Sequence, residues 1–264
     1  MISSLVKIAV GVAIGLPLLA WLLQERMIFF PRPVESRPTP HPNLEELTVV
    51  AADGVKLRGW LVKAAGKPAP LVIYFGGNAE EVSWLTGLAD RFAGWSLLLL
   101  NYRGYGDSEG RPGEKQLFQD ALAVYDYAKQ RADVAPERIV VMGRSLGSGV
   151  AVHLGAHRPV RGVILASPYD SIVEVARQHY PFLPVSLLLR HRFDSLAHAS
   201  HIEAPLLCLV APEDRVIPVA RSRALFEAWG GAKIWREIPF ADHDSIAGEP
   251  EYWRSIADFL GAFR

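Results

Sequence analysis

The chain has 264 residues, 50% of them hydrophobic, with 28 basic and 28 acidic side chains and a formal net charge of +0. That length and apolar content suffice for one large core, while the even charge excludes a broad basic face for nucleic acid or a strongly acidic partner surface. The single cysteine, Cys208, rules out an intramolecular disulfide; set in Leu206-Leu207-Cys208-Leu209-Val210, it reads as a small buried hydrophobe.

Residues Ile8 to Leu23 carry no charge, and extension back to Leu5 past Lys7 gives close to the roughly 20 residues that span a bilayer. Lys7 could snorkel to the interface. A cleaved signal peptide has a shorter apolar region ending at small-x-small, whereas Trp21-Leu22-Leu23-Gln24-Glu25 follows here. Residues 1–23 are therefore expected to be an uncleaved single-pass membrane anchor, with Met27-Ile28-Phe29-Phe30 at the interface. Lys7 on one side and Arg26, Arg32 and Arg37 on the other lean weakly toward a cytoplasmic domain and leave the side of the membrane open. Gly11 and Gly15 form a G-x-x-x-G pair, but glycine is common in spans, so the oligomeric state is left open too. Pro31, Pro33, Pro38, Pro40 and Pro42 then mark residues 24–43 as an extended linker.

The folded domain is expected over 44–264. Leu47 to Val50 and Val55 to Val62 are β-rich and joined through Asp53-Gly54, a pair suited to a tight hairpin turn. Leu71–Phe75 is an apolar run followed by Gly76-Gly77-Asn78 and a helix with Val82, Leu85, Leu88 and Phe92 on one face, for which Asn78 and Glu81 resemble a capping box. Apolar runs recur at Ser96–Leu100, Arg138–Met142, Gly162–Ala166, Leu206–Val210 and Ile234–Ile238, mostly with amphipathic helical patterns between them. That alternation predicts an α/β fold with a mainly parallel, doubly wound sheet. Residues 169–204 break the rhythm: they contain no convincing strand and include the apolar stretch Tyr180 to Leu189. They read as an inserted lid, with a helix packed into the core as the alternative.

Gly143-Arg144-Ser145-Leu146-Gly147 sits between an apolar strand and a small-residue helix. A serine at such an elbow is held in a strained turn that exposes its hydroxyl, and Gly143 and Gly147 are needed where a Cβ would collide with neighbouring backbone. Serine is a poor nucleophile unless a base takes its proton and a carboxylate orients that base. Asp214 follows the strand Leu206–Val210, and His243 follows Ile234–Ile238, so all three lie beyond carboxyl ends of strands, where doubly wound folds place their sites. The order Ser145, Asp214, His243 fits nucleophile-elbow enzymes. Glu213, Asp242 and Asp244 compete with Asp214 for the orienting role, and His153 and His157, on the helix after the elbow, read as ordinary surface residues. The backbone N–H of Leu146 would face an oxyanion, joined by that of Asn78, with Gly77 as the alternative donor. No G-x-G-x-x-G or G-x-x-x-x-G-K-[ST] motif supports a nucleotide cofactor, and neither an H-x-x-x-H nor a C-x-x-C pair is read as a metal site, so no cofactor and no metal are expected.

These residues, together with Asn101-Tyr102-Arg103-Gly104-Tyr105-Gly106-Asp107-Ser108-Glu109-Gly110, Phe75-Gly76-Gly77-Asn78-Ala79-Glu80 and Gln24 to Pro31, make the chain resemble the α/β-hydrolase superfamily over about residues 24 to 264. The likeness is to its membrane-anchored, serine-aminopeptidase-like and depalmitoylase-like branch. That branch usually has histidine where this chain has Gly76. The resemblance implies an eight-stranded sheet, the triad Ser145, Asp214 and His243, and cleavage of esters, thioesters or amides. The leading expectation is a membrane-anchored serine hydrolase acting on small-molecule or lipid-linked acyl substrates. A serine peptidase, with Glu80, Glu81 or Asp107 recognising an amine, and a non-catalytic tethered binding protein are the rivals.

Overall fold

The computed structural model describes residues 2–66 and 68–263, leaving out the side chains of Ile2, Ser3, Leu5, Ala9, Val10, Val12 and Ala13. The chain opens with helix α1, Ile2–Ile28, whose 27 residues amount to about 40 Å at 1.5 Å per residue. It contains Pro17 and runs on through residues 24–28 of the expected linker, where no proline occurs until Pro31. Among the described residues no helix is long and apolar enough to cross a membrane, and the expected anchor over 1–23 falls in part on Met1 and on the side chains left out.

The proline-rich segment after α1 is docked on the domain and is not a free spacer. Phe29 is 4% exposed and its ring meets those of His191 and Phe193 edge-on. Phe30 N–H donates to Asn78 Oδ1 at 3.0 Å, Gly106 N–H donates to the carbonyl of Arg32 at 2.7 Å, and Arg37 pairs with Glu46 and Asp107.

Eight strands follow: β1 Leu44–Val50, β2 Lys56–Val62, β3 Ala69–Phe75, β4 Ser96–Leu100, β5 Val134–Arg144, β6 Gly162–Ala166, β7 Leu206–Val210 and β8 Lys233–Glu237. They form one sheet in the order β1-β2-β4-β3-β5-β6-β7-β8. β1–β2 and β2–β4 pair antiparallel and the rest parallel. The first hairpin closes with Ala51 N–H donating to Val55 O at 2.8 Å and Gly54 N–H donating to Ala51 O at 2.9 Å, and only Gly54 takes a positive φ (85°), so the turn is longer than an Asp-Gly dipeptide turn. β3, β4, β6 and β7, and β5 from Ile139 onward, are buried and mostly apolar, as expected of parallel strands covered on both faces. β8 is the exposed edge and carries Lys233, Arg236 and Glu237, charges that discourage edge pairing.

Helices α2 (Glu114–Lys129), α3 (Leu146–His157) and α7 (Val219–Ala228) join one core with Leu71, Ile73, Val141 and Leu165. A 3₁₀ helix, Val82–Phe92, and α8 (Pro250–Gly261) join the other with Val72, Tyr74, Val140 and Ile164. Alternate side chains of the central strands thus feed opposite layers. The 3₁₀ helix buries Val82, Leu85 and Phe92, while Leu88 leaves helical geometry at φ −115°. Its cap is the Glu81 side chain accepting from Ser83 N–H, not Asn78, whose carbonyl oxygen is taken up by Phe30 and Tyr105. Between β6 and β7, residues 169–204 form three short helices: α4 (Ile172–His179), α5 (Val185–Leu188) and α6 (Leu196–Ala199).

Candidate active site

The elbow forms where β5 ends and α3 begins. Ser145 sits at φ 50°, ψ −118°, a conformation that a non-glycine residue adopts only under constraint. The constraint is close backbone approach: a Cβ on Gly143 would lie 2.2 Å from the carbonyl oxygen of Gly147, and one on Gly147 would lie 2.1 Å from that of Phe75. Ser145 N–H donates to Ala166 O at 2.9 Å, locking the turn to β6.

Asp214 lies in the loop after β7 and His243 in the loop after β8. His243 Nε2 is 2.9 Å from Ser145 Oγ and its Nδ1 is 2.8 Å from Asp214 Oδ2. Nδ1–H donating to the carboxylate fixes the tautomer that leaves Nε2 to accept the serine proton. Asp214 Oδ1 accepts from the N–H groups of Val216 (2.9 Å) and Ile217 (2.7 Å). Burial opposes ionisation of this carboxyl, yet the hydrogen bonds from His243 and Ile217 outweigh it and hold its pKa below the usual aspartate value. The competing acids do not hold His243 Nδ1: Glu213 is exposed, Asp242 accepts from Ser245 and Asp244 N–H groups, and Asp244 is 93% exposed.

Leu146 opens α3, and its N–H, like that of Asn78, has no acceptor among the described residues. Gly77 N–H is already committed, donating to Glu80 Oε2 at 2.6 Å. Asn78 is held from its side chain, since Oδ1 accepts from Phe30 N–H, Tyr105 O–H (3.1 Å) and Ala79 N–H. Tyr102 O–H donates to Gly76 O at 2.8 Å and steadies the other end of this loop.

A buried ion pair that sequence reading did not find joins the three loops. Arg144, with its side chain 15% exposed, reaches Glu80 Oε2 at 3.1 Å and donates from its other terminal nitrogen to the carbonyl of His243 at 2.9 Å. Glu80 also accepts from Tyr74 O–H (2.7 Å) and Trp84 Nε1–H (3.1 Å). Burial opposes the Arg144 charge, but Glu80 more than compensates and its pKa is raised. The three acids considered for amine recognition are thus engaged: Glu80 here, Glu81 as helix cap, and Asp107 with Arg37.

Ser145 faces a cavity of about 410 Å³ walled largely by Tyr169, Ile172, Val175, Leu183, Leu188 and Ile217. The apolar stretch Tyr180 to Leu189 contributes unevenly. α5 is a single turn, so Val185 and Leu188 face in while Leu187 points out, 84% exposed. Arg190 beside them is occupied with α1, its guanidinium over the Trp21 ring at 4.9 Å.

His153 and His157 do have H-x-x-x-H spacing on α3, a pair the motif reading passed over. Their rings stack at 4.1 Å, with Phe118 against His153 at 3.9 Å, and burial together with His157 and His198 pushes His153 down to about 4. His157 Nδ1 lies 2.8 Å from the carbonyl oxygen of His153, and among the described residues no group of three or more His, Cys, Asp or Glu is arranged to hold a metal.

A family model described as serine aminopeptidase, S33, matches residues 66–185. An uncharacterised protein of Mycobacterium tuberculosis is 36% identical over 244 residues, covering 90% of this chain and 87% of that one. An uncharacterised membrane protein of Saccharomyces cerevisiae is 31% identical over 86% of this chain and 81% of its own length. A lysophosphatidylserine lipase of Danio rerio is 31% identical, with 77% of this chain matching 61% of the lipase. Among solved structures, an acetyl xylan esterase from Paenibacillus superposes with a TM-score of 0.70 at 20% identity, covering 92% of this chain and 93% of that one, a likeness of fold alone. With an eight-stranded sheet, a strand-elbow-helix unit at Ser145, a match of residues 66–185 to the hydrolase family model and relatives matched along most of its length, the chain belongs to the α/β-hydrolase superfamily.

Proposed function

We propose that the protein is a serine hydrolase that cleaves carboxylic esters or thioesters of apolar acyl chains through an acyl-enzyme on Ser145. The observation that carries this reading is the hydrogen-bonded series Ser145, His243, Asp214 opening into an apolar cavity. Ser145 Oγ attacks the acyl carbon as His243 Nε2 takes its proton, and the carbonyl oxygen becomes an oxyanion facing the N–H groups of Leu146 and Asn78. The imidazolium, stabilised by Asp214, then gives its proton to the departing alcohol or thiol. Water, deprotonated by His243, attacks the acyl-enzyme, and Ser145 leaves with the proton returned to it.

The engaged state of Glu80, Glu81 and Asp107 weighs against the peptidase reading, which needs a free acid for a substrate amine. The intact series weighs against a binding protein. A lysophospholipid, the substrate class in the name of the Danio rerio relative, is an acyl ester of the kind this cavity suits.

Labelling by a fluorophosphonate probe tests the activated serine: wild-type protein reacts and a non-catalytic protein does not. On p-nitrophenyl esters, each methylene buried should contribute about 0.8 kcal/mol, so kcat/KM rises roughly three- to fourfold per CH₂ until the cavity is full. Leu183→Ser and Leu188→Ser flatten that rise. A profile flat from acetyl to octanoyl, with faster turnover of aminoacyl-anilides, would transfer the site to amide substrates.

The reading includes attachment. Val6, Ile8, Ile14, Leu16, Leu18 and Leu19 of α1 are exposed apolar side chains, and a relative is named as a membrane protein, which together favour α1 as a membrane anchor. Full-length protein is then expected in the pellet after carbonate extraction. A chain lacking residues 2–16 should be soluble and active, with Pro17 in the first turn of the shortened helix, where its missing N–H costs nothing. Full-length protein in the supernatant would remove the anchor.

A further inference from the structure

We infer that the last turns of α1 are part of the substrate site, with Ala20 setting the longest acyl chain accepted and Gln24 pinning the lid along it. The inference deepens the acyl-hydrolase reading and rests on it.

Four residues of α1, Ala20, Gln24, Met27 and Ile28, line the cavity that Ser145 faces. Their spacing of i, i+4, i+7 and i+8 places them on one side of the helix. The helix is therefore a wall of the cavity along about 12 Å, the rise from residue 20 to residue 28. Its near end is fixed at the oxyanion loop, because Phe30 N–H donates to Asn78 Oδ1 just beyond Ile28. A chain whose carbonyl carbon sits at Ser145 would run back along α1, past Met27 and Gln24, toward Ala20. Alanine is the smallest of the four and leaves that end open.

Gln24 is a polar side chain buried to 3% exposure in an otherwise apolar wall. Its amide spends both ends on the lid: Nε2 donates to Leu188 O at 3.2 Å and to Trp21 O at 2.8 Å, while Oε1 accepts from Arg190 N–H at 2.7 Å. Those bonds clasp the backbone on either side of Leu189, where α5 ends. Arg190 adds a second tie, lying over the Trp21 ring and 3.6 Å from Glu25. A glutamine carrying only a buried amide would cost free energy; one that closes two backbone groups of the lid holds the cavity shut along its length.

The test uses the full-length protein and p-nitrophenyl esters from butyryl to dodecanoyl. In Ala20→Phe the ratio of kcat/KM for dodecanoyl over butyryl should fall at least tenfold. Leu18→Phe, which places the same ring on the exposed side of the helix, should leave that ratio within twofold of wild type. Gln24→Leu should raise KM for the dodecanoyl ester about fivefold with a smaller change in kcat, as a loosened lid binds the chain less well. If wild-type rates rise with chain length but Ala20→Phe keeps the wild-type ratio, or Leu18→Phe loses as much, the inference fails and the acyl reading stands. If wild-type rates are flat with chain length, both fall together. Loss of labelling by diisopropyl fluorophosphate, a probe with no long chain, in Ala20→Phe would overturn the assignment of Ala20 to chain length.

Discussion

Ser145→Ala and His243→Ala each remove turnover by about 10⁴–10⁶-fold on a good ester, because nucleophile and base act as a unit. At about 1.36 kcal/mol per factor of ten, that is roughly 5–8 kcal/mol of transition-state stabilisation. Folding should hardly change. Alanine keeps the Cβ that serine already carries at φ 50°, so the strained turn gains no new clash. Removal of the imidazole leaves Asp214 its two backbone donors, Val216 and Ile217. Those donors also explain a milder expectation for Asp214→Asn: the oxygen that faces them survives, while the charge that steadies the imidazolium is lost. Steady-state kinetics beside thermal melts separate the two effects. More than a few per cent of wild-type kcat in either alanine variant would remove Ser145 and His243 from the chemistry.

Arg144→Met is expected to lower both stability and rate. Breaking a buried ion pair by removing one partner costs about 3–5 kcal/mol, and Glu80, with its side chain 8% exposed, would be the charge left behind. Tyr74, Gly77 and Trp84 still donate to it, which points to the lower end, about 3 kcal/mol. For a chain of this size that is a fall in Tm of roughly 6–12 °C. The loss in kcat should be about 100-fold, the scale of mispositioning one oxyanion donor, because the same guanidinium holds the glycine loop through Glu80 and the histidine loop through the carbonyl of His243. Arg144→Lys should recover the charge and only part of the rate, since an ammonium cannot span both acceptors as the planar fork does. Unchanged kcat in Arg144→Met, with Tm lowered, would leave this pair a purely structural role.

What could be read from the sequence is what is local. The strand-elbow-helix unit around Ser145 is written in consecutive residues, and the places of Asp214 and His243 follow from each coming directly after an apolar run. The regular alternation of buried runs and amphipathic helices likewise carries the parallel sheet. What could not be read are contacts made across long separations. Glu80 lies 64 residues from Arg144, Arg144 lies 99 from His243, and Gln24 lies 164 from Leu188. No local pattern distinguishes a glutamate bound for such a pair from one on the surface. The outward turn of Leu187 escaped for a related reason: a run of leucines shows apolarity, and only the phase of a one-turn helix decides which of them faces in. The docked proline segment was hidden in the same way, because proline content reports an extended backbone and says nothing of what that backbone leans on.

The burial of Phe29 has a consequence for how such an enzyme would search for substrate. With its ring seated against His191 and Phe193, and Phe30 bonded to Asn78 one residue on, α1 meets the rest of the fold at a fixed joint. A protein hung from a bilayer by a slack tether sweeps a hemisphere and meets soluble substrates as readily as lipids. Were α1 the anchor proposed above, its riveted joint would keep the domain at a constant height and pitch, and the mouth of the cavity would skim a single leaflet. Its encounters would then scale with substrate per unit area of membrane, not per unit volume of the surrounding water.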